Sequence, residues 1–106
     1  MAQSDEMMEN AREATAFVKA IANEHRLMIL CLLAEGERSV GELEDILDMR
    51  QPTLSQQLAR LRADELVNTR RDGKSIYYSL SSPETQKFVQ LLYEVFCAKS
   101  VQAAAE

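Results

Sequence analysis

Two neighbouring stretches decide the fold: Gln51-Pro52-Thr53-Leu54-Ser55-Gln56-Gln57-Leu58-Ala59-Arg60-Leu61-Arg62 and, three residues later, Leu66-Val67-Asn68-Thr69-Arg70-Arg71-Asp72-Gly73-Lys74-Ser75-Ile76-Tyr77-Tyr78-Ser79-Leu80. In the first, Leu54, Leu58 and Leu61 recur at helical spacing, so they line one inward face. Thr53, Ser55, Gln56, Gln57, Arg60 and Arg62 are left mostly outside. Pro52 fits the first turn, where its missing N–H has no intrahelical partner to lose. In the second stretch the period changes to that of strands. Two β-prone runs flank Asp72-Gly73-Lys74, and an Asp-Gly between such runs is a hairpin signal.

Upstream, Asp48-Met49-Arg50-Gln51 is a short break. Before it, Ser39-Val40-Gly41-Glu42 reads as a capping box opening a helix that runs through Leu47, with Leu43, Ile46 and Leu47 inward. Asn23 is a good N-cap for a helix from Glu24 to about Glu35, closed by Gly36. Its Leu-Met-Ile-Leu-Cys-Leu-Leu-Ala segment is apolar nearly all round, as a central core helix requires. Met7 or Met8, Ala11, Ala14, Val18 and Ile21 give a first helix over about 5–22. Downstream, Ser82 and Pro83 open a last helix with Phe88, Leu91, Leu92, Val95 and Phe96 as its stripe. The order is α-α-α-α-β-β-α, mainly α with one β-hairpin, with the third and fourth helices joined by a tight turn. That is a winged helix-turn-helix. The first and last helices keep wide apolar faces with no other partner, which predicts a homodimer formed through them.

The 106 residues fit one domain over 1–106, with the Ala-rich end at 103–106 frayed. A hydrophobic share of 46% with only three Gly and two Pro excludes disordered and fibrous classes. The longest apolar run, Leu27 to Ala34, falls far short of the ~20 residues that span a bilayer. The Met-Ala-Gln-Ser-Asp-Glu start lacks the basic and apolar parts of a secretory signal, so a cytoplasmic protein without a membrane partner is expected. Net charge is −5, yet residues 50–78 carry six basic and three acidic groups. What phosphate senses is the field within a Debye length of roughly 8–10 Å, so this basic segment matters more than the total.

The polar face of the fourth helix has the chemistry of a major-groove reader. Thr53 and Ser55 are short enough to let the backbone approach, and Gln51 stands at the helix start. Gln56 and Gln57 can contact adenine with two hydrogen bonds, and Arg60 can reach phosphate or guanine. Arg70, Arg71 and Lys74 flank the hairpin tip, where a wing meets phosphates or the minor groove. Arg50 and Arg62 are either backbone contacts or solubilising charges. The competing reading is a solvated helix face, or a module whose wing and fourth helix bind protein. Cys31 and Cys97 are either buried small hydrophobes or a redox pair. A small thiol enzyme is disfavoured by the lack of a Cys-x-x-Cys, a paired base and a Gly-rich loop.

Asn23-Glu24-His25-Arg26-Leu27, the Gln51–Leu58 segment, and Leu66-Val67 through Tyr77-Tyr78-Ser79-Leu80 together resemble the ArsR/SmtB family of bacterial dimeric repressors, over about residues 14 to 97. Two positions depart from its pattern: Arg50, where many members have a capping Ser, and Asp48, where Gly is common. The resemblance implies a double-stranded, palindromic operator as partner. It also raises metal sensing, but Glu42-Leu43-Glu44-Asp45-Ile46 lacks the family's cysteine ligands and residues 83–106 contain no His. No metal and no cofactor are therefore expected, and the lone His25 reads as exposed or capping. One branch of the family, the SqrR- and BigR-type sulfide regulators and HlyU-type regulators, carries one Cys in the second helix and one in the last. Cys31 and Cys97 match both positions. The resemblance thus implies a dithiol that senses persulfide or polysulfide, cross-links, and releases DNA. The alternatives are a peroxide-responsive regulator and an HlyU-like anti-repressor.

Overall fold

The computed structural model describes residues 2–97 and the side chains of residues 3–96; the Ala-rich end lies outside them. The elements are α1 (Ala2–Ile21), α2 (Glu24–Glu35), β1 (Arg38–Ser39), α3 (Val40–Leu47), α4 (Gln51–Ala63), β2 (Val67–Asp72), β3 (Ser75–Leu80) and α5 (Pro83–Leu92), the last continued by a π-turn over Tyr93–Cys97. This is the expected winged helix-turn-helix, with one addition. The two-residue β1 pairs antiparallel with β3, so the wing is a three-stranded sheet of order β1-β3-β2. Two residues, the second of them the N-cap of α3, carry no periodicity, which is why the sequence pattern passes over them.

Central α2 packs against α3, α4, α5, β3 and the π-turn. Its Ile29, Leu30 and Leu33 are buried with Leu43, Leu54, Leu58, Leu61, Leu66, Tyr78 and Val89. Each large apolar side chain so buried contributes about 1.5–3 kcal/mol, an upper bound because an unfolded chain is not fully extended. Helix α2 starts on Asn23, whose Oδ1 accepts the Arg26 N–H at 3.1 Å. The capping box at α3 is complete: Ser39 Oγ accepts from the Glu42 N–H at 3.1 Å, and Glu42 Oε1 accepts from the Ser39 N–H at 2.9 Å.

The turn between α3 and α4 places Asp48 at φ 49°, ψ 45°, the left-handed conformation that Gly takes without cost and that Asp and Asn tolerate better than most residues. The departure from Gly is thus accommodated. Helix α4 begins at Gln51, one residue before Pro52, and Arg50 supplies no side-chain cap. The hairpin turn falls within the expected Asp72-Gly73-Lys74. Asp72 pairs with Ser75, so the two turn residues are Gly73 and Lys74, with Gly73 at φ 63°. Positive φ at the first central position suits a turn of the II′ kind, and puts Lys74 at the very tip.

The inward face of α5 is Thr85 and Val89, with Leu92 half-buried. Most of its expected stripe turns outward, as a face without a partner in the protomer should: Phe88, Leu91, Val95 and Phe96 are exposed, as are Met7, Met8 and Val18 of α1. Helix α1 joins the core near its end, through Phe17, Ala20 and Ile21. The Phe17 ring meets Phe88 edge-on at 5.1 Å.

Candidate nucleic-acid interface

Burying Leu54, Leu58 and Leu61 fixes the rotation of α4 and turns Pro52, Ser55, Gln56 and Ala59 to the outside. Gln56 stands near the middle of that exposed face. Thr53 and Gln57, expected mostly outside, are half-buried. The reason for Gln57 is a partner from another helix: Arg26 Nη1 donates to Gln57 Oε1 at 3.0 Å. The same guanidinium donates from Nε to the Ala20 carbonyl at 2.5 Å and from Nη2 to the Lys19 carbonyl at 3.4 Å. Arg26 thus joins the end of α1 to the middle of α4, and occupies the acceptor that Gln57 would need for a two-bond contact with adenine.

At the front of α4, Gln51 Nε2 donates to Glu44 Oε1 of α3, and Ser55 Oγ donates to Gln51 Oε1 at 2.8 Å. Farther along, Arg60 Nε donates to Asp64 Oδ2 at 2.6 Å, an exposed pair one turn apart that contributes little to stability. Arg50 and Arg62 are exposed.

The two wing arginines part company. Arg70 lies over the Tyr77 ring at 4.4 Å and forms a two-bond fork with Glu37, Nε to Oε2 at 2.8 Å and Nη2 to Oε1 at 2.6 Å. That hydrogen bonding holds the Glu37 carboxyl below its ordinary 4.5 and raises Arg70 further. Arg71, on the opposite face of β2, and Lys74 at the tip are exposed, and neither takes part in an ion pair among the described residues. Charge available to a phosphate therefore comes from Arg71 and Lys74 rather than equally from all three. Sequence reading passed over Glu37, Arg26 as a clamp, and Glu44, because their partners lie 33, 31 and 7 residues away across tertiary contacts.

Cys31 is buried, 5% exposed, on α2. Cys97 closes the π-turn, and its side chain lies outside those described. The two cysteine-bearing elements, α2 and the π-turn, are packed together. His25 is exposed in the first turn of α2. Among the described residues no three His, Cys, Asp or Glu side chains gather as a metal site would require, and no helix is long and apolar enough to cross a membrane.

Residues 23–69 match the model of the bacterial regulatory protein arsR family. Over 92 residues, 87% of this chain and 85% of the relative, the sequence is 48% identical to the transcriptional activator HlyU of Vibrio cholerae serotype O1. The reduced HlyU structure superposes with a TM-score of 0.83, covering 87% of this chain and 97% of that one. The transcriptional repressor BigR of Xylella fastidiosa is 44% identical with a TM-score of 0.84, covering 91% and 95%. A homodimeric winged helix-turn-helix DNA-binding domain from Mycobacterium bovis is 33% identical with a TM-score of 0.71, covering 83% and 82%.

Proposed function

The chain belongs to the ArsR family of DNA-binding transcriptional regulators, and from that premise we propose that it is a cytoplasmic homodimeric repressor whose Cys31 and Cys97 sense reactive sulfur species. As a member of that family it is a transcription regulator and not an enzyme. In the proposed complex, α4 enters the major groove, with Gln56 as the central reader and Gln51, Thr53, Ser55 and Arg60 around it. Arg71 and Lys74 bring the wing to phosphate. Gln57 and Arg70 sit at the interface but are held by Arg26 and Glu37. Two copies joined through the outward faces of α1 and α5 set the two α4 helices about 34 Å apart, as a palindromic operator requires. The homodimeric Mycobacterium bovis relative supports a homodimer.

One observation carries the sensing reading: the helix holding Cys31 packs directly on the turn that ends at Cys97. One thiolate attacks the outer sulfur of a persulfide RSSH, forming Cys–S–SH and releasing RSH. The second thiolate then attacks the inner sulfur, closing a Cys–S–S–Cys bond with loss of hydrogen sulfide. If both cysteines are persulfidated first, loss of one hydrogen sulfide leaves a trisulfide. The sulfane sulfur is the oxidant throughout. Closing the link draws α5, itself a dimer helix, against α2, which is tied to α1 through Arg26, so a small rotation separates the two reading heads. A hundredfold loss of operator affinity needs only about 2.7 kcal/mol of coupling.

The test is operator binding together with mass spectrometry of both cysteines, after persulfide and after peroxide. Cys31→Ser and Cys97→Ser are each expected to bind DNA when reduced and to stay bound under persulfide. A single-Ser variant that still lets go refutes the dithiol. Release by peroxide as efficient as by persulfide would make this a general thiol-redox regulator. A second reading follows from the activator name of the Vibrio cholerae relative: the chain displaces another repressor instead of blocking transcription itself. It is favoured if the inducer releases the chain from DNA while transcription falls rather than rises.

A further inference from the structure

We propose that Glu44, a residue of α3 outside the reading helix, is a positioning residue that fixes which hydrogen-bonding groups α4 presents to a base pair. The observation is the chain Glu44 Oε1, Gln51 Nε2, Gln51 Oε1, Ser55 Oγ, in which each group satisfies the next. An amide alone has no fixed direction, because its amino and carbonyl ends are nearly the same shape and can exchange by a flip. A carboxylate removes that freedom, since it only accepts. Glu44 therefore takes the amino end of Gln51, which turns the amide oxygen to Ser55, which makes the Ser55 hydroxyl the donor of that bond. The groups left over are then determined: one N–H of Gln51 as a donor, and the lone pairs of Ser55 Oγ as acceptors. A donor and an acceptor four residues apart on one helix face suit an edge that offers an acceptor beside an amino group, which is what adenine N7 and N6 provide in the major groove.

Glu44 is held firmly enough to do this. Its backbone carbonyl accepts the N–H groups of Asp48 and Met49, closing α3 and shaping the turn that leads to Gln51. Its side chain borders the concavity between the start of α3 and the wing tip, with Lys74, Ser75 and Ile76 on the far wall. A Glu44→Gln change leaves those backbone bonds and the side-chain shape in place and removes only the directionality. With an amide at 44 the chain can run either way, so Ser55 can become the free donor and the presented pattern is no longer unique.

The inference rests on α4 being the groove reader, and the experiment separates the two. Wild type, Glu44→Gln, Gln51→Ala, Ser55→Ala and Gln56→Ala are each taken through selection on a randomised duplex library, with affinities measured on the selected site and its single-base variants and thermal unfolding recorded alongside. Glu44→Gln is expected to unfold as wild type does. It should lose about tenfold of discrimination at one base pair per half-site, the same pair that Gln51→Ala and Ser55→Ala relax. Glu44→Gln binding with all base preferences intact overturns the proposal. So does an equal change in affinity for every duplex, which would be a charge effect on phosphate. If Gln51→Ala, Ser55→Ala and Gln56→Ala also leave every preference intact, α4 is not the reader and both readings fall.

Discussion

The outward face of α4 and the outward faces of α1 and α5 are equally open to solvent but built in opposite ways. On α4 much of the polar face is already engaged, Gln51 with Glu44 and Ser55, Gln57 with Arg26, Arg60 with Asp64, while Gln56 stands open to solvent. On α1 and α5 the exposed groups are Met7, Met8, Val18, Phe88, Leu91, Val95 and Phe96, for which water offers nothing. Hydrogen bonds exchange readily with those of a wet nucleic-acid surface, so a face that is internally satisfied stays soluble when free and can re-pair when bound. Apolar surface has no such exchange, and a contiguous patch of it marks an interface. On the proposed reading, one face suits a partner that comes and goes, the other one that stays.

The largest expected effect breaks the second face. Leu91 is 58% exposed within the protomer, so Leu91→Glu should leave the fold of each chain intact. In a twofold dimer the change occurs twice. Losing the burial of two leucines costs about 3–6 kcal/mol, roughly a hundredfold to ten-thousandfold in dimer dissociation, before any cost of burying the new charges. Sedimentation at micromolar protein is expected to show monomer, with operator affinity lost in proportion. A variant that still sediments as a dimer would place the permanent partner elsewhere.

Next in size is the link between the two faces. Arg26→Ala removes the guanidinium that serves Ala20, Lys19 and Gln57 together, and hydrogen bonds of a charged group contribute about 1.5–3 kcal/mol. Urea unfolding at fixed protomer concentration is expected to show a loss of that order. Arg26→Lys should recover only part of it, because an ammonium cannot match the fork of a guanidinium. Gln57→Ala should weaken specific DNA binding less than Gln56→Ala, whose amide accepts nothing from Arg26. The reverse order would show that Gln57 leaves Arg26 for the base.

What could be read in advance followed from local rules. The core stripe of α4, the capping box at Ser39, the cap at Asn23 and the existence of the hairpin all depend on residues within four positions of one another, and each stands where expected. The outward polar set of α4 was legible as a set. Its internal pairing was not, because Glu44, Arg26 and Glu37 reach their partners only once the chain is folded. The stripe of α5 was legible as an apolar face without a partner in the protomer, but Val89, the residue that anchors the helix to the core, lies off that stripe and was passed over. Which two of Asp72-Gly73-Lys74 form the turn is a register matter of the same kind, set by the pairing of Asp72 with Ser75.

The smallest effect divides the first face against itself. Arg71 and Arg70 are neighbours on β2, but only Arg70 has a carboxylate of its own. Arg71→Ala should weaken binding to all duplexes alike and lower the salt slope by about one counterion. Arg70→Ala should change the slope less, since Glu37 already neutralises that charge, and Glu37→Gln should steepen it by releasing Arg70 to a phosphate. Acid offers the same release without a mutation. Glu37 titrates below its ordinary 4.5 because Arg70 hydrogen-bonds its charged form, so whatever the pair adds to stability is present above that ordinary value and disappears as pH falls through the depressed one. At neutral pH the latch is closed, and the wing presents Arg71 and Lys74. If Arg70→Ala lowers the slope as much as Arg71→Ala does, DNA phosphate displaces Glu37 on binding. The fork would then be a placeholder for the backbone, engaged until the nucleic acid arrives, as the rest of the α4 side is.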